Sequence, residues 1–170
     1  MDDDRPLIVT LLLDEQTQSR FEAERRRLFP ADQTQVGAHV TLFHALPAPL
    51  RGEVESALTE AADREPLTVA VHDVYSLNRG VAYHLVCAEL DELHTAWQRR
   101  WREHLTRQDA QGLRAHATVQ NKVTGSLARR TLDELRETFT PWTAQGIALE
   151  LWRYDGGPWT HLACFDLGSR

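Results

Sequence analysis

The 170-residue chain is 42% hydrophobic and 26% charged, the balance of an ordinary soluble globular protein, and it is long enough for one good core or for two small lobes sharing one. Its formal net charge of −6 argues against a general duplex-binding protein, which neutralises phosphates with an excess of Lys and Arg. No apolar run approaches the roughly 20 residues of a membrane span, and the amino end Met1-Asp2-Asp3-Asp4-Arg5 is acidic where a secretory signal would be basic, so a cytoplasmic location with no membrane partner is expected.

Leu7 to Leu13 is a continuous apolar run, which predicts a central strand covered on both faces. Asp14 to about Phe29 is predicted as a helix anchored by Phe21, Leu28 and Phe29, and Val36 to Leu46 as a strand closed by Pro47 and Pro49. Val54, Ala57, Leu58, Ala61 and Ala62 recur at helical spacing within Gly52 to Arg64. Alternation in Leu67 to Leu77 and again from Val81 to Cys87, around Asn78-Arg79-Gly80, predicts a hairpin. Leu93, Ala96, Trp97, Trp101 and Leu105 predict a helix. Leu113 to Val123 is a strand, Gly125-Ser126 caps a helix over Leu127 to Phe139, and Gly146 to Tyr154 with Trp159 to Leu167 forms a second hairpin. The order helix, strand, helix, hairpin thus occurs twice. The predicted fold is α+β, with two pseudo-symmetric lobes, each an antiparallel sheet with helices, flanking a central cleft, and residues 1–170 forming one bilobal domain.

The strands Val36 to Leu46 and Leu113 to Val123 carry matching text, Ala38-His39-Val40-Thr41-Leu42 and Ala115-His116-Ala117-Thr118-Val119. On a strand, the two-residue spacing points His and Thr to one side and the aliphatics to the other. Chance supplies roughly 0.7 His-x-Thr triplets in this composition. A third, His104-Leu105-Thr106, follows a helical pattern, where residues two apart do not share a face, and reads as a decoy. Two imidazoles facing each other across a cleft are the minimum equipment for acid–base cleavage of a phosphodiester, one taking a proton and the other giving one. Thr hydroxyls suit the non-bridging phosphate oxygens. No metal or other cofactor is required.

Two His-x-Thr-hydrophobic motifs in an α+β chain of this length resemble the 2H phosphoesterases. His39-Val40-Thr41-Leu42-Phe43-His44-Ala45-Leu46 looks like the first motif of their 2′-5′ RNA ligase / cyclic phosphodiesterase branch, and the Leu151-Trp152-Arg153-Tyr154-Asp155-Gly156-Gly157-Pro158-Trp159 tail adds support. The resemblance implies a groove between two lobes, an acid–base pair of His39 and His116, and phosphate contacts from Thr41 and Thr118. It also implies hydrolysis of 2′,3′-cyclic phosphates or 2′-5′ linkages, or reversible 2′-5′ ligation of RNA ends. RNA-ligating members often place an Arg soon after the second Thr, whereas Gln120-Asn121-Lys122 stands here. That departure weakens the case for ligation of long RNA and leaves Lys122 as a candidate substrate contact.

Phe43 shares strand parity with His39 and Thr41 and is a candidate for stacking on a base, with core packing as the alternative. Tyr83 is a candidate for lining the groove. His44 has the opposite parity and reads as structural. Cys87 and Cys164 lack CxxC or finger spacing and read as buried reduced thiols. The expected partner is a nucleotide or RNA end, bound by a monomer without an obligate protein partner. The alternatives are a nucleotide or RNA binding module with little turnover, and a metal hydrolase, which the lack of HExxH or any ligand-type cluster disfavours.

Overall fold

The computed structural model describes residues 3–31 and 36–168. Its elements run β1 (Leu7–Leu13), α1 (Glu15–Leu28), β2 (Val40–Leu46), α2 (Arg51–Ala62), β3 (Leu67–Ser76), β4 (Val81–Val86), α3 (Ala88–Arg100), β5 (His116–Gln120), α4 (Gly125–Thr138), β6 (Trp142–Tyr154) and β7 (Trp159–Asp166). The twofold recurrence of helix, strand, helix and hairpin is therefore present. Three boundaries differ from expectation. β2 starts at Val40, so His39 stands one residue outside the ladder. α3 ends at Arg100 and a 3₁₀ turn over Arg102–His104 follows. α4 is capped by Thr124, whose hydroxyl accepts from the Leu127 N–H at 3.2 Å, an acceptor that Gly125 cannot supply.

All seven strands pair antiparallel in one sheet of order β2-β1-β6-β3-β4-β5, with β7 also on β6. The long β6 is its spine. Trp142 to Gly146 pairs with β3, while Gly146 to Arg153 pairs with β1 and Ala148 to Tyr154 with β7 on the opposite edge. At the changeover, a side chain on Gly146 would meet Leu11 Cδ1 at 3.0 Å and Leu67 Cβ at 3.3 Å, so close packing from both neighbouring strands favours glycine there. The two halves of the sheet are the two lobes, β2-β1-β6-β7 and β6-β3-β4-β5. Each motif strand ends its half as an edge strand, β2 in one lobe and β5 in the other, and the two edges approach each other.

The helices cross between the halves. α1 follows β1 but packs against β5, placing Phe21 4.9 Å from Tyr83 between ring centroids. α3 follows β4 but packs against β2, setting Trp97 and Trp101 on Phe43 at 6.4 and 5.2 Å. Each motif strand is thus backed by the helix that precedes the other one. This exchange joins the lobes through a continuous core that includes Val9, Leu11, Leu58, Leu67 and Leu149, all buried. Cys87 is buried as expected, but Cys164 is exposed because it lies on the outer strand β7, opposite Glu150. Among the described residues no helix is long and apolar enough to cross a membrane.

Candidate active site

One face of α1 builds the first half of the site. Gln18, Glu22 and Arg25 fall at i, i+4 and i+7 and so share that face. Gln18 Nε2 donates to the Ala38 carbonyl at 2.7 Å, Glu22 Oε1 accepts from the Ala38 N–H at 2.8 Å, and Arg25 Nε donates to the Val36 carbonyl at 3.1 Å. A Cβ on Gly37 would lie 2.5 Å from that Glu22 oxygen, so a side chain there would push the Glu22 carboxylate off the Ala38 N–H. Arg25 also donates through Nη1 to the Thr118 carbonyl on β5 at 2.8 Å. One buried guanidinium therefore ties the lead-in of the first motif to the strand of the second, and burial lowers its pKa.

The two motif histidines are held in the same way. His39 Nδ1 lies 2.7 Å from the Gly37 carbonyl and His116 Nδ1 lies 2.8 Å from the Arg114 carbonyl, in each case two residues back along the chain. A carbonyl can only accept, so each neutral ring keeps its proton on Nδ1 and presents Nε2 as the basic nitrogen. Ala38 and Ala115, buried before each His, leave the main chain room for this turn-back. On β5, His116 and Thr118 are half-buried on one face while Ala117 and Val119 are fully buried on the other.

Burial pushes the His39 pKa down to about 4, against a partial lift from the Gly37 carbonyl, and nearby charge on Arg25, His116 and His44 presses it further down. Burial also lowers the pKa of His116, with His44 and Arg114 contributing in the same direction. That His116 acts on His39, and His44 on both, places three imidazoles within one electrostatic neighbourhood.

Two hollows adjoin these rings. One, of about 190 Å³, is lined by Thr10, His39, Glu150, Trp152 and Trp159 among others, with the Trp159 ring 4.6 Å from that of His39. The other, of about 150 Å³, brings together Thr41, His44, Asp109, Arg114 and His116. Tyr75 on β3 meets the edge of His116 at 6.3 Å and carries the Arg114 guanidinium over its ring at 4.4 Å. Among the described residues no three His, Cys, Asp or Glu side chains converge as a metal site.

Residues 13–158 match the family model of the 2′-5′ RNA ligase superfamily. The chain belongs to that superfamily. No curated protein matches the sequence. Solved structures carry the likeness in fold. TT0787 of Thermus thermophilus superposes with a TM-score of 0.67 at 15% identity, over 97% of this chain and 100% of that one. A structure described as a phosphoesterase gives 0.62 at 15% identity, covering 97% and 99%. E. coli LigT complexed with 3′-AMP gives 0.59 at 15% identity, also covering 97% and 99%. The α+β, two-lobed architecture of this 2H phosphoesterase is the one these structures share.

Within this superfamily fold, His39 lines one hollow and Thr41 and His116 line the other, while Thr118 shares the His116 face of β5 but lines neither; three other expectations are corrected. Phe43 is fully buried against His94, Trp97 and Trp101 and cannot stack on a base. The cause is a β-bulge. Val9 pairs with Phe43 and the next residue, Thr10, pairs with Thr41, leaving Leu42 as the extra residue that puts Thr41 and Phe43 on opposite faces. Tyr83 is buried on the helix side of β4, among Phe21, Phe139 and Trp142, and does not line the groove. Lys122 lies two residues past the end of β5, away from His116, with a left-handed φ of 62°, and lines neither hollow. Conversely, strand parity makes His44 structural, yet the same bulge that puts Phe43 into the core turns the next residue, His44, to the Thr41 side, where it lines the hollow of His116. Tyr75, Arg114 and Trp159 complete the surroundings, and no spacing in the sequence links them to the motifs.

Proposed function

We propose that this 2H phosphoesterase is a metal-independent phosphodiesterase acting on 2′,3′-cyclic phosphates or 2′-5′ linkages of nucleotides or RNA ends. The observation that carries the reading is the shared hydrogen bond from Nδ1 to the carbonyl two residues back, which leaves Nε2 as the basic nitrogen of both His39, just before β2, and His116 on β5, the two edges that approach each other. In the proposed reaction one neutral imidazole takes the proton of the attacking water while the other, protonated, gives its Nε2 proton to the leaving ribose oxygen. Thr41 and Thr118 donate to the non-bridging oxygens, where charge grows in the transition state. LigT has been solved with 3′-AMP, ATP and NADP⁺, which supports a nucleotide as the ligand class. Because the lobes share β6, we take the chain to work as one bilobal domain, in monomeric form.

The test is product formation from a panel of 2′,3′-cyclic mononucleotides and a 2′-5′ dinucleotide in the presence of a chelator. Turnover of at least one is expected; binding of the panel without any turnover would replace this reading with a binding module. The pH profile gives a further check. The active free enzyme carries one proton shared between the two rings, so kcat/KM rises as the ring titrating near 4 loses its proton and falls as the other loses its own below 6.5. A bell lying entirely on the acid side of the ordinary His value is expected, and a plateau extending above about pH 7.5 would count against the burial-lowered pair.

A further inference from the structure

The hollow beside His116 holds an imidazole that the proposed reaction does not use. His44 sits at the register shift of β2 and is gripped by Asp109, whose carboxylate accepts from the His44 and Ala45 N–H groups at 2.8 and 2.9 Å and lies 3.1 Å from His44 Nδ1. The His44 side chain stays 42% exposed, while that of Asp109 is 1% exposed. The carboxylate charge is thus consumed behind the ring, and Nε2 is the nitrogen left for the hollow. Arg114 lines the same space, with its guanidinium stacked on Tyr75 and its outer edge in solvent. Around His44 the charged and titratable groups are Asp109, Arg114, His116, His39 and the buried His94.

We propose that His44 and Arg114 form a subsite for a second phosphate, so that the preferred ligand is a nucleotide or RNA end carrying a phosphate beyond the one that reacts. The geometry suits an oxyanion. A ring fixed through Nδ1 can carry a proton on Nε2 as well and donate it, with Asp109 and the phosphate on opposite edges, while the guanidinium supplies a fork of donors. His116 lines the same hollow, so a phosphate there would adjoin the reacting one, within the span of a single nucleotide. The inference rests on the phosphodiesterase reading, but its test does not need turnover.

Calorimetry on the full chain would compare adenosine 2′- and 3′-monophosphates with adenosine 2′,5′- and 3′,5′-bisphosphates, for wild type, His44→Ala and Arg114→Ala. In the wild type a bisphosphate is expected to bind about 10-fold more tightly than its monophosphate, as a charge-assisted contact provides, and the ratio should fall toward one in both variants. Should His44→Ala fail to fold, His44→Gln keeps a polar side chain against Asp109 without the imidazole ring, and the same fall is expected. Equal affinity of the wild type for both classes, or an unchanged ratio in the variants, would overturn the subsite. Failure of the cyclic-phosphate panel alongside a preserved ratio would instead sink the phosphodiesterase reading and leave the subsite standing.

Discussion

His39→Ala and His116→Ala should each lower kcat by about 10²- to 10⁴-fold, the usual contribution of a positioned general acid or base. KM should move much less, because the phosphate would keep its Thr contacts and each hollow would keep the rest of its lining. Folding is expected to survive both changes. Each ring is only partly buried, and among the described residues its hydrogen bond runs to a carbonyl two residues away rather than across the core. The double variant tells more than either single one. Two groups that transfer one proton in and one proton out act as a unit, so removing the second should cost far less than removing the first. Stopped or steady-state assays on the three variants, with urea midpoints measured alongside, would check this. A single variant that retained more than about a tenth of wild-type kcat would remove that His from the chemistry.

Much of this arrangement is legible in the amino-acid order. The run Leu7 to Leu13 is buried on both faces as its uninterrupted apolar text requires. Asp14 caps α1 by accepting from the Thr17 N–H at 2.9 Å, as an acidic residue at that point should. The second His-x-Thr lies on β5 and the first enters β2 one residue before its ladder, and the doubled element order is present as expected. What is not legible depends on partners far away in the chain. The stripe of Trp97 and Trp101 says that one face of α3 is buried, but not that it covers the strand of the first motif. The dual pairing of β6 has no local signature, since each half of it alternates like any other strand. Most consequential is the edge of β2. Period-two parity carries a residue to the correct face only while the register holds, and β2 shifts twice within seven residues. Those shifts are stabilised from outside: the buried His94 lies 2.9 Å through Nε2 from the Leu42 carbonyl, and Asp109 takes the His44 and Ala45 N–H groups. Neither α3 nor the loop of Asp109 announces itself as a partner of β2, so Phe43 and His44 exchange places relative to simple alternation.

Phe43→Ala separates the core role from the stacking role with a large effect. The ring is fully buried, stacked on His94 at 4.6 Å between centroids and edge-on to Trp101 at 5.2 Å. Its removal should cost about 3–5 kcal/mol, the range for deleting a buried aromatic side chain, because neighbours pinned by the β2 bulge and by α3 cannot close the cavity. In a domain of ordinary stability that is a large share of the total. The urea midpoint should fall steeply with little change in slope. Phe43→Leu, which keeps much of the volume, should cost clearly less. Enzyme that remains folded should still bind mononucleotides with nearly wild-type affinity, since the ring faces α3 and not the hollows. A base-stacking role predicts the reverse pattern, with affinity lost by about 1–3 kcal/mol per base and stability largely kept. Measuring both quantities on the same two variants distinguishes them, and a Phe43→Ala protein as stable as the wild type but weak in nucleotide binding would return Phe43 to the site.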